Sequence, residues 1–216
     1  MMACLLMVAM VTTKAQADKE LGGWYVYNGF FNISEKFELF VESQYRSFNT
    51  ADDPETFFFR PFFNYNVNKQ FQVGLGLEYH NTWDYESSTD PDTEFRVTLQ
   101  SMLFQNVGRV KLQHRYRYEF RNFEESKAQR FRYRLQATVP LNNKTFEKGT
   151  IFANAFNEIM VDSQPDLQLS QNRIYAGLGY QLSNLANIQV GYLGIAKPED
   201  FYNRFQIFFT HKLNFY

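Results

Sequence analysis

The stretch VKLQHRYRYEFR, residues 110–121, alternates apolar and polar side chains almost without a break. Val110, Leu112, Tyr116, Tyr118 and Phe120 fall on one face, with His114 among them; Lys111, Gln113, Arg115, Arg117, Glu119 and Arg121 fall on the other. A period of two is that of a β-strand, whose successive side chains point to opposite sides. The pattern returns as RFRYRLQATV at 130–139, where Phe131, Tyr133 and Leu135 oppose Arg130, Arg132 and Arg134. Strands of soluble sheets are usually about six residues long. These are twice that, and one face of each is densely charged.

The same reading along the chain yields strands at 22–33, 36–46, 56–67, 70–81, 94–105, 110–121, 129–139, 150–161, 172–183, 187–196 and 203–216. Pro61 should cost the third of them a ladder hydrogen bond, and a bulge is expected there. Gly74 and Gly76 lie on the polar face of the fourth, where they would relieve crowding. ISEK, NK, NVG and SNLA read as short turns; 49–55, 82–93, 122–128, 162–171 and 196–200 read as longer loops. PLNNKTFEKG occupies a short-turn position without being short.

Composition agrees with two dissimilar faces. Aromatics make up 19% of the chain, with 24 Phe and 14 Tyr, yet mean hydropathy is −0.44. The net charge of −1 lacks the basic excess of a nucleic-acid-binding protein. Cys4 is the single cysteine, so no disulfide framework exists, and His80, His114 and His211 have no metal-ligand spacing. No cofactor is expected. MMACLLMVAMV followed by Ala15-Gln16-Ala17 has the form of a secretory signal peptide, though no basic residue precedes the apolar run. Residues 1–17 are read as that signal and 18–216 as one domain. No run of eighteen apolar residues is present, which excludes a membrane-spanning helix but not a barrel, whose strands need about ten alternating residues.

Backbone groups in hydrocarbon must be paired, and a sheet achieves this only by closing on itself. Twelve residues at about 3.3 Å each, tilted by about 40°, cover roughly 30 Å of height, enough for an apolar band of about 25 Å. The expected fold is a closed antiparallel transmembrane β-barrel with short periplasmic turns and longer extracellular loops. Outer-membrane barrels of bacteria carry an even number of strands. A twelfth strand is therefore expected near 18–29 or 141–161, with ten strands as the runner-up.

GGWYVYNGFFNISEKFELFVESQYR and RPFFNYNVNKQFQVGLGLEY, with HRYRYEFR and RFRYRLQ repeating the form, resemble the DUF2490 family of Gram-negative outer-membrane proteins, common in Bacteroidota. That resemblance implies a barrel in the outer membrane; the family's function is uncharacterised, so it supplies no active-site residues. The terminal HKLNFY is similar to the signal by which barrel-assembly machinery recognises its clients, with Tyr216 in place of the usual Phe. Membrane lipids and that machinery are the expected partners.

Arg115, Arg117, Arg130, Arg132 and Arg134 form the candidate lumen cluster, with Glu78, Glu94 and Glu119 as counter-charges. Two readings follow: a structural ion network, or a basic patch that binds or selects a small anionic solute in a porin-like lumen. An outer-membrane lipid hydrolase would need Ser and His within reach. Ser101 and His114 share the apolar face of adjacent strands, and Ser43 or Ser47 are equal candidates. A ligand-binding scaffold is a further alternative. A soluble lipocalin-like barrel would have eight strands, fewer than the pattern supplies.

Overall fold

A computed structural model describes residues 21–85 and 90–216; the signal-peptide reading of 1–17 lies outside them. Eleven strands follow one another: β1 (Gly22–Asn32), β2 (Phe37–Ser47), β3 (Pro54–Asn66), β4 (Phe71–Thr82), β5 (Asp92–Val107), β6 (Val110–Phe123), β7 (Lys127–Pro140), β8 (Ile151–Gln164), β9 (Gln168–Ser183), β10 (Ala186–Ala196) and β11 (Phe201–Asn214). There is no helix among the described residues. The strands form one closed barrel in chain order, each antiparallel to its neighbours except where β1 meets β11. That pair is parallel, in register from Gly22↔Arg204 to Asn32↔Asn214.

The count corrects the expectation of twelve or ten strands, and the closure corrects a purely antiparallel sheet. Each hairpin reverses the chain, so the first and last of eleven strands must point the same way. The barrel can then close only through a parallel pair, and the two ends of the sheet-forming chain lie at opposite rims. The expected extra strand near 141–161 is instead the 141–150 loop followed by β8. Its conformation is held by Asn143 Nδ2 donating to Thr150 Oγ1 (2.9 Å) and the Ile151 amide donating to Asn142 Oδ1 (2.8 Å).

Connections 33–36, 67–70, 108–109, 141–150 and 184–185 share one rim, the turn end. Connections 48–53, 83–91, 124–126, 165–167 and 197–200 share the other, the loop end. The loops expected at 122–128 and 162–171 are largely strand, because the ladders continue to Asn122↔Lys127 and Asp162↔Gln168. Both faces are polar there, so the ladder outlasts the hydrophobic alternation that would have revealed it.

The apolar face points outward. Leu99, Ile174 and Leu178 are 50%, 61% and 58% exposed, whereas Thr98, Glu119 and Glu158 are fully buried in the lumen. This is the inverse of a water-soluble barrel. Pro61 pairs with Val41 of β2, and on the β4 side the ladder lapses at Arg60 and Pro61 between Phe59↔Tyr79 and Phe62↔Gly76. The register is equal on both sides of the lapse. Proline therefore removes a rung, as its missing N–H requires, without the expected bulge.

Inward glycines make room for rings from the neighbouring strand. Gly76 faces Phe62 and Gly179 faces Phe152 across their ladders. A Cβ on Gly76 would lie 2.5 Å from Phe62 Cζ and 2.8 Å from its Cδ1, and Phe62 is fully buried. Gly76→Val should therefore overpack this layer and lower stability by about 1–3 kcal/mol, read from the urea midpoint of the refolded protein. Part of the loss should return when Phe62→Ala is combined with it.

Candidate functional site

All eight residues of the candidate cluster point into the lumen. Period-two alternation places Arg115, Arg117 and Glu119 on the inner face of β6, and Arg130, Arg132 and Arg134 on that of β7. The ladder sets Arg115 opposite Arg134, Arg117 opposite Arg132 and Glu119 opposite Arg130. Two like-charged pairs thus stand side by side, an arrangement that is destabilising unless counter-charge is supplied.

Glu158 of β8 supplies most of it. Its carboxylate accepts from Arg115 Nη2 (2.6 Å), Arg132 Nη2 (3.0 Å) and Arg134 Nη2 (3.0 Å). Arg132 also donates through Nη1 to Glu119 Oε1 (2.5 Å), and Arg96 Nη1 lies 3.6 Å from Glu119 Oε2. Glu94 receives Nε donors from both Arg96 and Arg121, each at 2.6 Å. Arg130 is held separately by Asp162 (2.5 Å). Across the lumen, Arg60 joins Glu42 (2.7 Å) to Glu78 (3.3 Å), and Glu78 also accepts from Thr98 Oγ1 (2.6 Å). His80 Nε2 lies 3.1 Å from Glu78, and its ring stacks on Phe58.

None of the ion pairs among the described residues includes Arg46, Arg117 or Arg173. Each is held by a glutamine and an aromatic ring instead. Arg46 donates to Gln44 Oε1 and its guanidinium lies 3.9 Å from the Trp24 ring centroid. Arg173 donates to Gln171 Oε1 and lies 5.1 Å from Trp24. Arg117 donates to Gln100 Oε1 and lies 4.5 Å from Phe62. The face of an aromatic ring offers a desolvated cation about 2 kcal/mol, less than a carboxylate would.

Two cavities lie in the lumen as lined by the described residues. One, of about 650 Å³, extends toward the turn end; the other, of about 330 Å³, toward the loop end. Both touch Trp24, Arg46, Arg60, Arg132 and Arg173, which form a partition between them. The larger cavity also meets an apolar wall built on Trp24, Phe156 and Leu193, with Phe208 packed against it. Phe156 stacks on Tyr175 with ring centroids 4.9 Å apart, and Tyr175 meets Phe208 edge-on at 5.6 Å.

Sequence reasoning missed this wall, and with it Trp24, Arg46, Arg173 and Asp162 as parts of the site. The available signal was failed alternation: GFF at 29–31, VGYLGIA at 190–196 and FQIFF at 205–209 carry apolar residues on both faces. The Ser–His pair considered for lipid hydrolysis does not form. Ser101 stands opposite Tyr116 and His114 opposite Leu103, and His114 Nδ1 lies 2.8 Å from Tyr133 Oη. No hydrogen bond joins Ser101 to His114 among the described residues. Ser47 Oγ donates to the Asn49 carbonyl (2.7 Å). No group of three His, Cys, Asp or Glu side chains suited to a metal ion is present among the described residues.

The network separates two kinds of arginine by their response to mutation. Glu158→Gln should lower stability by roughly 3–5 kcal/mol, because three buried guanidinium groups lose their shared counter-charge. Arg117→Gln leaves no carboxylate unpaired and should cost at most about 2 kcal/mol. Urea unfolding of the two variants checks the order; equal losses would contradict it.

Residues 21–206 match a family model described as a protein of unknown function, DUF2490. Comparison with curated proteins and with solved structures found no match. The family match covers most of the chain and nearly all of the barrel, and the chain belongs to the DUF2490 family.

Proposed function

We propose that this chain spans the outer membrane of a Gram-negative bacterium, with its turn end toward the periplasm. We further propose that its lumen is a closed compartment that binds anionic solutes. The observation that carries the membrane reading is the inverted dressing of the barrel: aliphatic and aromatic side chains exposed outside, ion pairs buried inside. Strands of 11–16 residues, tilted by about 40°, reach roughly 28–40 Å in height, which covers an apolar band of about 25 Å. β11 ends at the turn end, so the C-terminal HKLNFY would meet the assembly machinery from the periplasmic side.

The cationic lining supports anion binding, and the partition supports a closed lumen. The guanidinium groups of Arg46 and Arg173 both lie against the Trp24 ring, where the two cavities meet. A narrow anion pore is the second reading, favoured by the alignment of two cation-lined cavities in series.

Leu99, at the middle of β5, and Leu182, near the turn end of β9, separate a membrane barrel from a soluble one. In phospholipid vesicles Leu99→Arg should cost roughly 2–4 kcal/mol and Leu182→Arg about 0–1, following the depth dependence of lipid-facing charge. Near-neutral values for both would remove the membrane reading. In planar bilayers the unaltered protein should show no steady conductance, and Trp24→Ala combined with Arg46→Ser should open one. Steady anion-biased conductance from the unaltered protein would make it a pore.

A further inference from the structure

The larger cavity is divided by chemistry as well as by shape. Arg115, Arg117, Arg132 and Arg134 form a two-by-two array on β6 and β7, and all four line it. Their counter-charges Glu119 and Glu158 are fully buried beneath them and do not reach the cavity. The β6–β7 side of the cavity therefore presents guanidinium groups without their own carboxylates; the acids that line the cavity, Glu38 and Glu42, belong to β2, and Glu42 is engaged by Arg60. Arg117 is 2% exposed, and among the described residues it has no carboxylate within ion-pair distance and its Nη1 has no acceptor. In an eleven-strand barrel β1 and β11 lie five strands from β6 in either direction, directly across the lumen. On that opposite wall the side chains of Phe30, Trp24 and Phe208, continued by Leu193 of β10, form an apolar patch beside the polar Asn28, Gln206, Thr210 and Lys212. The cavity reaches the turn end at Asn32, Asn66 and Leu185. Its volume lies within the roughly 300–1,000 Å³ range of small-molecule sites.

We infer that this cavity binds an amphipathic anion entering from the turn end, with a carboxylate or phosphate head on the β6–β7 arginine array and an apolar chain against the β1–β11 wall. The inference rests on the reading of the lumen as an anion-binding compartment and adds the apolar half of the ligand. A simple inorganic anion would use the arginines and leave the aromatic wall in contact with water. A neutral lipid would cover the wall and leave like-charged guanidinium groups facing one another. Only a molecule with both parts satisfies both walls, and guanidinium donors favour the planar carboxylate or the phosphate group as its head.

Trp24 lines the cavity and is a native fluorescent reporter; Trp83, beyond the end of β4 at the loop end, is removed by Trp83→Phe. Octanoate, octanol and inorganic phosphate are titrated separately into this protein in lipid nanodiscs, with empty nanodiscs correcting for partition into lipid. Octanoate should saturate at a concentration at least tenfold below that of either control. Arg117→Gln should weaken octanoate and phosphate alike by about tenfold. Phe208→Ala should weaken octanoate and leave phosphate unchanged. Octanol binding as tightly as octanoate would overturn the role of the arginine array. Phosphate binding as tightly as octanoate would overturn the amphipathic ligand while retaining the anion compartment. Absence of saturation by either anion, in protein that still runs as a heat-modifiable folded barrel, would overturn both.

Discussion

A guanidinium group taken out of water needs a counter-charge, and the interior of this barrel is arranged around that need. Glu158 is the point of greatest demand. It stands on β8 opposite Arg134 and Arg173 of its two neighbours and accepts from Arg115, Arg132 and Arg134. The desolvation of so many charges can exceed their mutual attraction. The network is therefore poor evidence of high stability. What it does impose is register: a slip of one residue on any strand would turn its arginines outward and its aromatics inward.

The odd strand number follows from chain direction alone and alters what each rim holds. Because β1 and β11 run parallel, the first described residues lie at the loop end and the C-terminus at the turn end. The closing seam also carries part of the apolar cluster of the lumen. Trp24 on β1 stands opposite Gln206 on β11, with Phe208 one step further along the inner face. A parallel pair is slightly less stable per residue than an antiparallel one. The inward rings of Trp24, Phe156, Tyr175 and Phe208 pack across the seam and its neighbours, which ties the closing strands together by burial as well as by hydrogen bonds.

Most of the fold was legible because alternation is strong wherever one face is apolar and the other charged. Strands β3 to β7 are of that kind, and their inward and outward residues follow directly from the letters. Legibility failed where both faces carried like residues. At 122–128 and 162–171 both are polar, and strand passed for loop. At 190–196 and 205–209 both are apolar, and the inner wall passed unseen. The strand number was legible too, since eleven alternating segments are present; the expectation of twelve came from the even-number habit of bacterial barrels and not from the residues. The arginine cluster was visible as spacing, but its division into paired and unpaired members was not. That division depends on which carboxylate the side chains of neighbouring strands can reach: Arg115 of β6 meets Glu158 of β8 past the intervening β7.

The division bears on what the lumen can do. Arginines locked to carboxylates have their donors largely committed, and an incoming anion must compete with a buried neighbour for them. Arg46, Arg117 and Arg173 are held by glutamine and by ring faces, interactions weak enough for an anion to displace or supplement. Two of the three flank Trp24 at the partition, and the third belongs to the β6–β7 array facing the larger cavity. The least committed positive charge of the interior therefore lies along the cavity and at its inner limit, while Glu119 and Glu158, which balance the β6–β7 arginines, do not line it; the carboxylates that do, Glu38 and Glu42, stand on β2. A barrel built only to be a neutral strut would gain nothing from that segregation. Interleaving acids among the β6–β7 arginines on the cavity surface would balance the same charges with less repulsion between Arg115 and Arg134, or between Arg117 and Arg132. The segregation has a physical use if the missing negative charge arrives with a ligand.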